Sequence, residues 1–200
     1  MSETGVVKFD CEHVVVELAP FAAFDSLNAC RRKLLQLRMI GVDANGIGFG
    51  NLSARGGGTS EFHITGSGTG GRAQLELAEY AKVTAHNFTR NWVRCEGRTV
   101  ASSESLTHAA VYDSAPAVGA VIHCHDRGLW LRLLSSAPAT SADVEYGTPA
   151  MALEVQRLFR QPDVRERQIF AMGGHGDGIV AFGRDVDDAF SALMRHRTTT

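Results

Sequence analysis

Residues Ala117–Asp126 read AVGAVIHCHD, an apolar run that ends in two of the chain's eight histidines, set one residue apart. Extended backbone sends successive side chains to opposite faces. His123 and His125 therefore share a face, about 7 Å apart, while Cys124 points the other way. Two imidazoles so placed can meet one metal ion.

Working outward from that strand, AMGGHGDGIVAFG (Ala171–Gly183) supplies a third imidazole, His175, with glycines on both sides that let the backbone bend towards a neighbouring strand. Three neutral imidazoles leave a coordination position open, the arrangement of a catalytic zinc site. Upstream, Glu104 in ASSES falls near the start of a helix, where a glutamate can serve the helix dipole or its cap. Beside a metal, the same carboxylate can take a proton from a carbon next to a carbonyl, while the metal stabilises the charge left on oxygen.

Small polar residues and glycines form a third group: Gly50 and Asn51 in FGNLSAR, Thr65 and Gly66 in HITGSGTGG, and Ser102 and Ser103 before Glu104. Singly these are turn residues. Together they can offer N–H and hydroxyl groups to a phosphate, since turns and helix starts make anion-binding concavities.

The pattern of elements predicts an α/β fold. GVVKFDCEHVVVELAP (Gly5–Pro20) reads as one or two short strands closed by Pro20. SLNACRRKLLQLRM (Ser26–Met39) reads as a helix burying Leu27, Leu34, Leu35 and Leu37 and ended by Gly41. Strands follow at NLSAR, EFHIT, AEYAKVTAH and NFTRNWVRCEG, the last placed at a sheet edge. The helix SESLTHAAVYDSAP is capped by Ser102 or Ser103 and stopped before Pro116. Beyond the strand VGAVIHCH come helices at LWLRLLSS and TPAMALEVQRLFR, the strand pair IFAMGGHGDGIVAFG, and a last helix DVDDAFSALMRH. Strands joined by short turns exclude a purely parallel sheet, so a mixed, largely antiparallel sheet flanked by helices is expected.

Composition sets the outer bounds. At 200 residues with 44% hydrophobic content the chain can bury a sizeable core, and one domain over 1–200 is expected. A formal net charge of −2, from 20 basic and 22 acidic residues with no basic run, gives no reason to expect nucleic acid or an anionic membrane. No apolar run approaches the roughly 18 residues of a membrane span. Cys11, Cys30, Cys95 and Cys124 lack metal-type spacing, and no signal segment precedes them, so a reduced, cytoplasmic protein is expected.

Taken in order, GNLSAR, HITGSG, ASSES, VIHCH and GGHGDGIVAFG give the chain, from about Leu27 to Phe190, a pattern that resembles the class II aldolase/adducin family. The resemblance implies a three-layer α/β/α domain and a divalent metal, zinc (Zn2+) or another, on His123, His125 and His175. It also implies Glu104 as acid/base, a phosphate cradle for a small phosphorylated substrate, and a homotetramer with sites at subunit interfaces. The implied reaction is cleavage of a carbon–carbon bond in a sugar phosphate through a zinc-stabilised enediolate.

The chain also departs from the pattern. The family's aldolases use tyrosines as proton donors, yet no tyrosine follows His175 and Tyr146 is the only one between His125 and His175. Tyr146 is a candidate donor, with packing as its other role. Epimerase, dehydratase and decarboxylase chemistry use the same charge stabilisation, and an adducin-like binding module is the non-catalytic alternative. His63, His86, His108 and His196 are assigned to no metal.

Overall fold

The computed structural model describes residues 8–56 and 59–198. Gly5–Val7 of the first expected strand, and Gly57 and Gly58 of the glycine-rich loop, lie outside the described residues. The strands are β1 (Asp10–Val14), β2 (Gly41–Val42), β3 (Gly48–Phe49), β4 (Asn51–Ala54), β5 (Phe62–Thr65), β6 (Tyr80–Asn87), β7 (Trp92–Glu96), β8 (Ala120–His125), β9 (Ile169–Ala171) and β10 (Gly178–Gly183). The helices are α1 (Phe24–Gln36), α2 (Ser105–Ser114), α3 (Arg127–Ser136), α4 (Pro149–Leu158), α5 (Pro162–Arg167) and α6 (Val186–Thr198).

Eight strands form one sheet in the order β1-β7-β6-β5-β4-β8-β10-β9, while β2 and β3 form a separate hairpin. The β1–β7 pair is parallel and each other neighbouring pair in the sheet is antiparallel. This is the mixed, largely antiparallel sheet that the short connections require.

Alternation along β8 separates two cores. Ala120, Ile122 and Cys124 pack with Leu27 and Leu34 of α1, Leu129 and Leu133 of α3, and Ala189 and Leu193 of α6. Val121 faces the opposite way, towards Leu106, Ala110 and Val111 of α2 and Met151, Val155 and Leu158 of α4. Helices thus cover both faces of one sheet, giving the three-layer α/β/α arrangement. His123 and His125 share the face of Val121, so both lie on the α2 and α4 side at the end of β8.

Several expectations need correction. Helix α1 ends at Gln36, not at Gly41: Arg38 turns to φ +58° and the Met39 N–H returns to the Leu34 carbonyl at 2.9 Å. That closure satisfies a terminal carbonyl without glycine. Leu35 and Leu37 consequently stay only partly buried. Strand β7 is interior, because β1 pairs outside it and takes the edge. Glu104, and neither Ser102 nor Ser103, is the residue before the first turn of α2, and no side chain caps that turn. β1 stops at Val14, well short of Pro20. The β2–β3 hairpin and α5 are too short to show a period, so the sequence pattern does not reveal them.

Candidate metal and acid/base site

His123 sits between Asn51 of β4 and Val180 of β10 in the sheet register. Its Nδ1–H donates to the Ile179 carbonyl at 3.1 Å, which leaves Nε2 as the lone-pair nitrogen. His125, two residues on, is bounded by the Phe49 ring at 5.1 Å. His175 comes from the loop between β9 and β10. A Cβ at Gly178 would lie 2.6 Å from His175 Cδ2, so the ring's position requires glycine there. Ring centroids stand 5.1 Å apart for His123–His125, 5.2 Å for His123–His175 and 4.7 Å for His125–His175. One nitrogen from each ring lies within 4.8 Å of the others, so the three could hold a single cation.

Burial lowers the pKa of all three rings, to about 4 for His123, about 3 for His125 and about 2 for His175. At neutral pH each is the uncharged, lone-pair-bearing form a metal requires. Three neutral nitrogen donors converging on one point fit a divalent cation such as zinc.

Glu104 occupies the turn before α2 and is only 2% exposed. Its Oε2 accepts from Thr107 Oγ1 at 2.8 Å, whereas Oε1 is buried without a partner among the described residues. Burial raises the pKa of this carboxyl to about 7, partly offset by the Thr107 hydroxyl and the positive charge of Lys8. A carboxyl with that affinity can give and take a proton near neutrality. Glu104 lines the same cavity, of about 210 Å³, as Asn51, His123, His125 and His175.

Gly50, Asn51, Gly66, Ser102 and Ser103 all line that cavity. Gly50 has φ +80°, and a Cβ on it would lie 2.4 Å from Ile40 Cγ2, so the bend into β4 excludes a side chain. Asn51 Oδ1 is buried and has no partner among the described residues. Thr65 is different: it is fully buried and its Oγ1 accepts from the Leu52 N–H at 3.3 Å, so its hydroxyl joins β4 to β5 away from the cavity. Ser67, Gly68, Thr69 and Gly70 line the cavity instead. The run GSGTGG is visible in the sequence; which member faces inward depends on the strand ending at Thr65.

Tyr146 also lines the cavity, its ring 4.1 Å from that of His175, with Lys8 Nζ 3.5 Å from the tyrosine centroid. Both its candidate roles, packing and proton donation, are compatible with that position. Tyr112 and His108, one turn apart on α2, both bond Ser53 Oγ at 2.7 Å and form a buried polar cluster between β4 and α2. His63 stacks on Phe21 at 3.9 Å, His86 pairs with Asp113 at 2.9 Å, and His196 meets the Arg167 carbonyl at 3.1 Å. None of these four histidines joins the imidazole cluster.

Residues 36–199 match the family model described as Class II Aldolase and Adducin N-terminal domain. Among solved structures, the chain resembles an L-fuculose 1-phosphate aldolase with a TM-score of 0.66 at 18% identity, over 90% of this chain and 84% of that one. An L-fuculose-1-phosphate aldolase from Thermus thermophilus gives 0.61 at 20% identity, over 86% and 88%. A sugar-phosphate aldolase from Thermotoga maritima gives 0.62 at 14% identity, over 87% and 90%. At these identities the likeness concerns the fold.

Proposed function

Because the chain belongs to the class II aldolase and adducin N-terminal domain family, we propose that it is a divalent-metal-dependent lyase cleaving a carbon–carbon bond in a small sugar phosphate. The observation that carries this reading is the meeting, in one cavity, of three neutral imidazoles with a buried carboxyl whose Oε1 has no partner among the described residues. His123, His125 and His175 are the metal ligands, and zinc suits a set of three neutral nitrogens. When bound, such a cation would draw charge from the carbonyl and hydroxyl oxygens of a ketose phosphate.

Glu104 moves the proton. Oε2 is fixed by Thr107, so Oε1 is the atom free to accept it, and burial holds the carboxyl near its half-ionised point at pH 7. The phosphate end of the substrate lies against Gly50, Asn51, Gly66, Ser102 and Ser103, joined by Ser67 and Gly68. Tyr146 carries the only phenolic hydroxyl lining this cavity among the described residues.

A second reading, epimerisation, uses the same proton chemistry on the same imidazoles and carboxyl. The fold also serves binding modules, but here all three imidazoles are in place. One domain over 1–200, working as a homo-oligomer in the cytoplasm, completes the proposal; the tetramer rests on family resemblance alone. The test is a panel of ketose phosphates assayed for both cleavage and epimerisation, with metal content measured on the same preparation. Absence of turnover together with failure to hold zinc after reconstitution would favour the binding module.

A further inference from the structure

Arg31 of α1 is completely buried, yet its guanidinium faces no carboxylate among the described residues. Its partners are two backbone carbonyls: Nη2 donates to Thr69 O and to Arg72 O, each at 2.7 Å. Among the described residues Nε and Nη1 have no hydrogen-bond partner, and nor has the buried Tyr80 hydroxyl beside them. A buried charge without an opposite charge is costly, and burial of an arginine in this way calls for a compensating anion.

The two carbonyls belong to the turn that follows β5. Within it the N–H groups of Gly66, Ser67 and Arg72 go to the carbonyls of Glu79, Val100 and Thr69. Among the described residues those of Gly68, Thr69 and Gly70 have no protein acceptor. Because the C=O and N–H of one trans peptide point opposite ways, holding Thr69 O against α1 sends the Gly70 N–H away from that helix, and Gly68, Thr69 and Gly70 all line the cavity. One helical turn earlier, Asn28 holds the far end of the segment, donating to Leu75 O at 3.0 Å and accepting from Leu75 N at 2.8 Å. On the opposite side the turn lies against the β2–β3 hairpin, since a Cβ on Gly70 would meet Gly41 O at 2.4 Å and Phe49 O at 2.6 Å.

We propose that Arg31 is the positioning residue of a phosphate-binding turn at Gly68–Gly70, fixing its free N–H groups towards the cavity and supplying the buried positive charge that a bound phosphate balances. The inference rests on the phosphorylated-substrate reading above and gives that substrate's anionic end a definite seat. Arg31 touches no reacting atom; it acts through the turn.

The test measures inorganic phosphate binding by calorimetry on the metal-loaded protein, for wild type, Arg31→Met, Arg31→Gln and Arg31→Lys. Charge-assisted contacts of this kind lead us to expect phosphate to bind Arg31→Met and Arg31→Gln about tenfold or more weakly, with metal content unchanged. Arg31→Lys keeps the charge and should recover most of the loss. KM for a phosphorylated substrate should rise in the same order while kcat changes little. If Arg31→Met does not fold, the comparison of Arg31→Gln with Arg31→Lys carries the test. Equal phosphate affinity across wild type and the folded variants overturns this inference alone; wild type that binds no phosphate overturns the phosphate reading and this inference with it.

Discussion

His125 and His175 bring their Nε2 atoms to 3.1 Å of each other, although one ends a strand and the other sits in a loop 50 positions later. Two ring nitrogens that close need a shared proton or a shared cation between them. Replacing His123, His125 or His175 by alanine should therefore remove most bound metal while leaving the circular dichroism spectrum of the fold unchanged. Metal analysis by mass spectrometry checks this, and full retention of metal by all three variants would make the coordination wrong.

The same burial predicts acid sensitivity of the metal-free protein. The three imidazoles have folded-state pKa values below the ordinary 6.5, so the unfolded chain binds more protons below that point. Their contribution is present above pH 6.5 and is lost progressively as pH falls through about 4 to about 2. Denaturant titrations of metal-free protein at pH 7.5 and 5 should show the loss. In His123→Ala it should be smaller.

Glu104 has the opposite dependence. Its folded pKa is raised from 4.5 to about 7, so the folded state holds the proton more tightly and stability declines as pH rises from about 4.5 to 7. The shift corresponds to at most about 3 kcal/mol. Glu104→Gln, which is never ionised, should be more stable than wild type at pH 8 and closer to it at pH 4.5, as thermal melts at the two pH values would record. It should also lose at least about a hundredfold in turnover, the usual scale for a general acid/base. Unchanged exchange of the substrate's α-proton in deuterated water would give the proton to another group.

Ser67→Ala and Ser103→Ala should weaken phosphorylated ligands more than their dephosphorylated analogues, because both residues line the cavity. Thr65→Val is the contrasting case. Its hydroxyl serves the buried Leu52 N–H, so the expected cost is about 1–3 kcal/mol of stability with no change in the preference for phosphate. A selective loss of phosphate affinity in Thr65→Val would place the cradle differently.

Tyr146→Phe separates a proton-transfer role from packing against His175. The ring is retained and only the hydroxyl goes, so packing predicts near-normal turnover. A loss of about tenfold or more in kcat with KM unchanged would assign the hydroxyl to the reaction.

Much of this was legible in the linear chain. Alternation placed His123 and His125 on one face, glycines marked His175 as a bend, and short turns between strands required antiparallel pairing, because each follows from local backbone geometry. What the sequence could not determine was long-range. Which side chains meet across the cavity depends on strand order, and that order is set by burial over the whole sheet. So Thr65 turned its hydroxyl to Leu52, Ser67 took the place facing inward, Tyr146 came to rest on His175, and β1 covered the edge expected of β7. The buried charge of Arg31 shows the same limit: in sequence it is one of two adjacent arginines on an amphipathic helix, and only the packing of the Thr69–Arg72 turn against α1 buries one and leaves Arg32 in solvent.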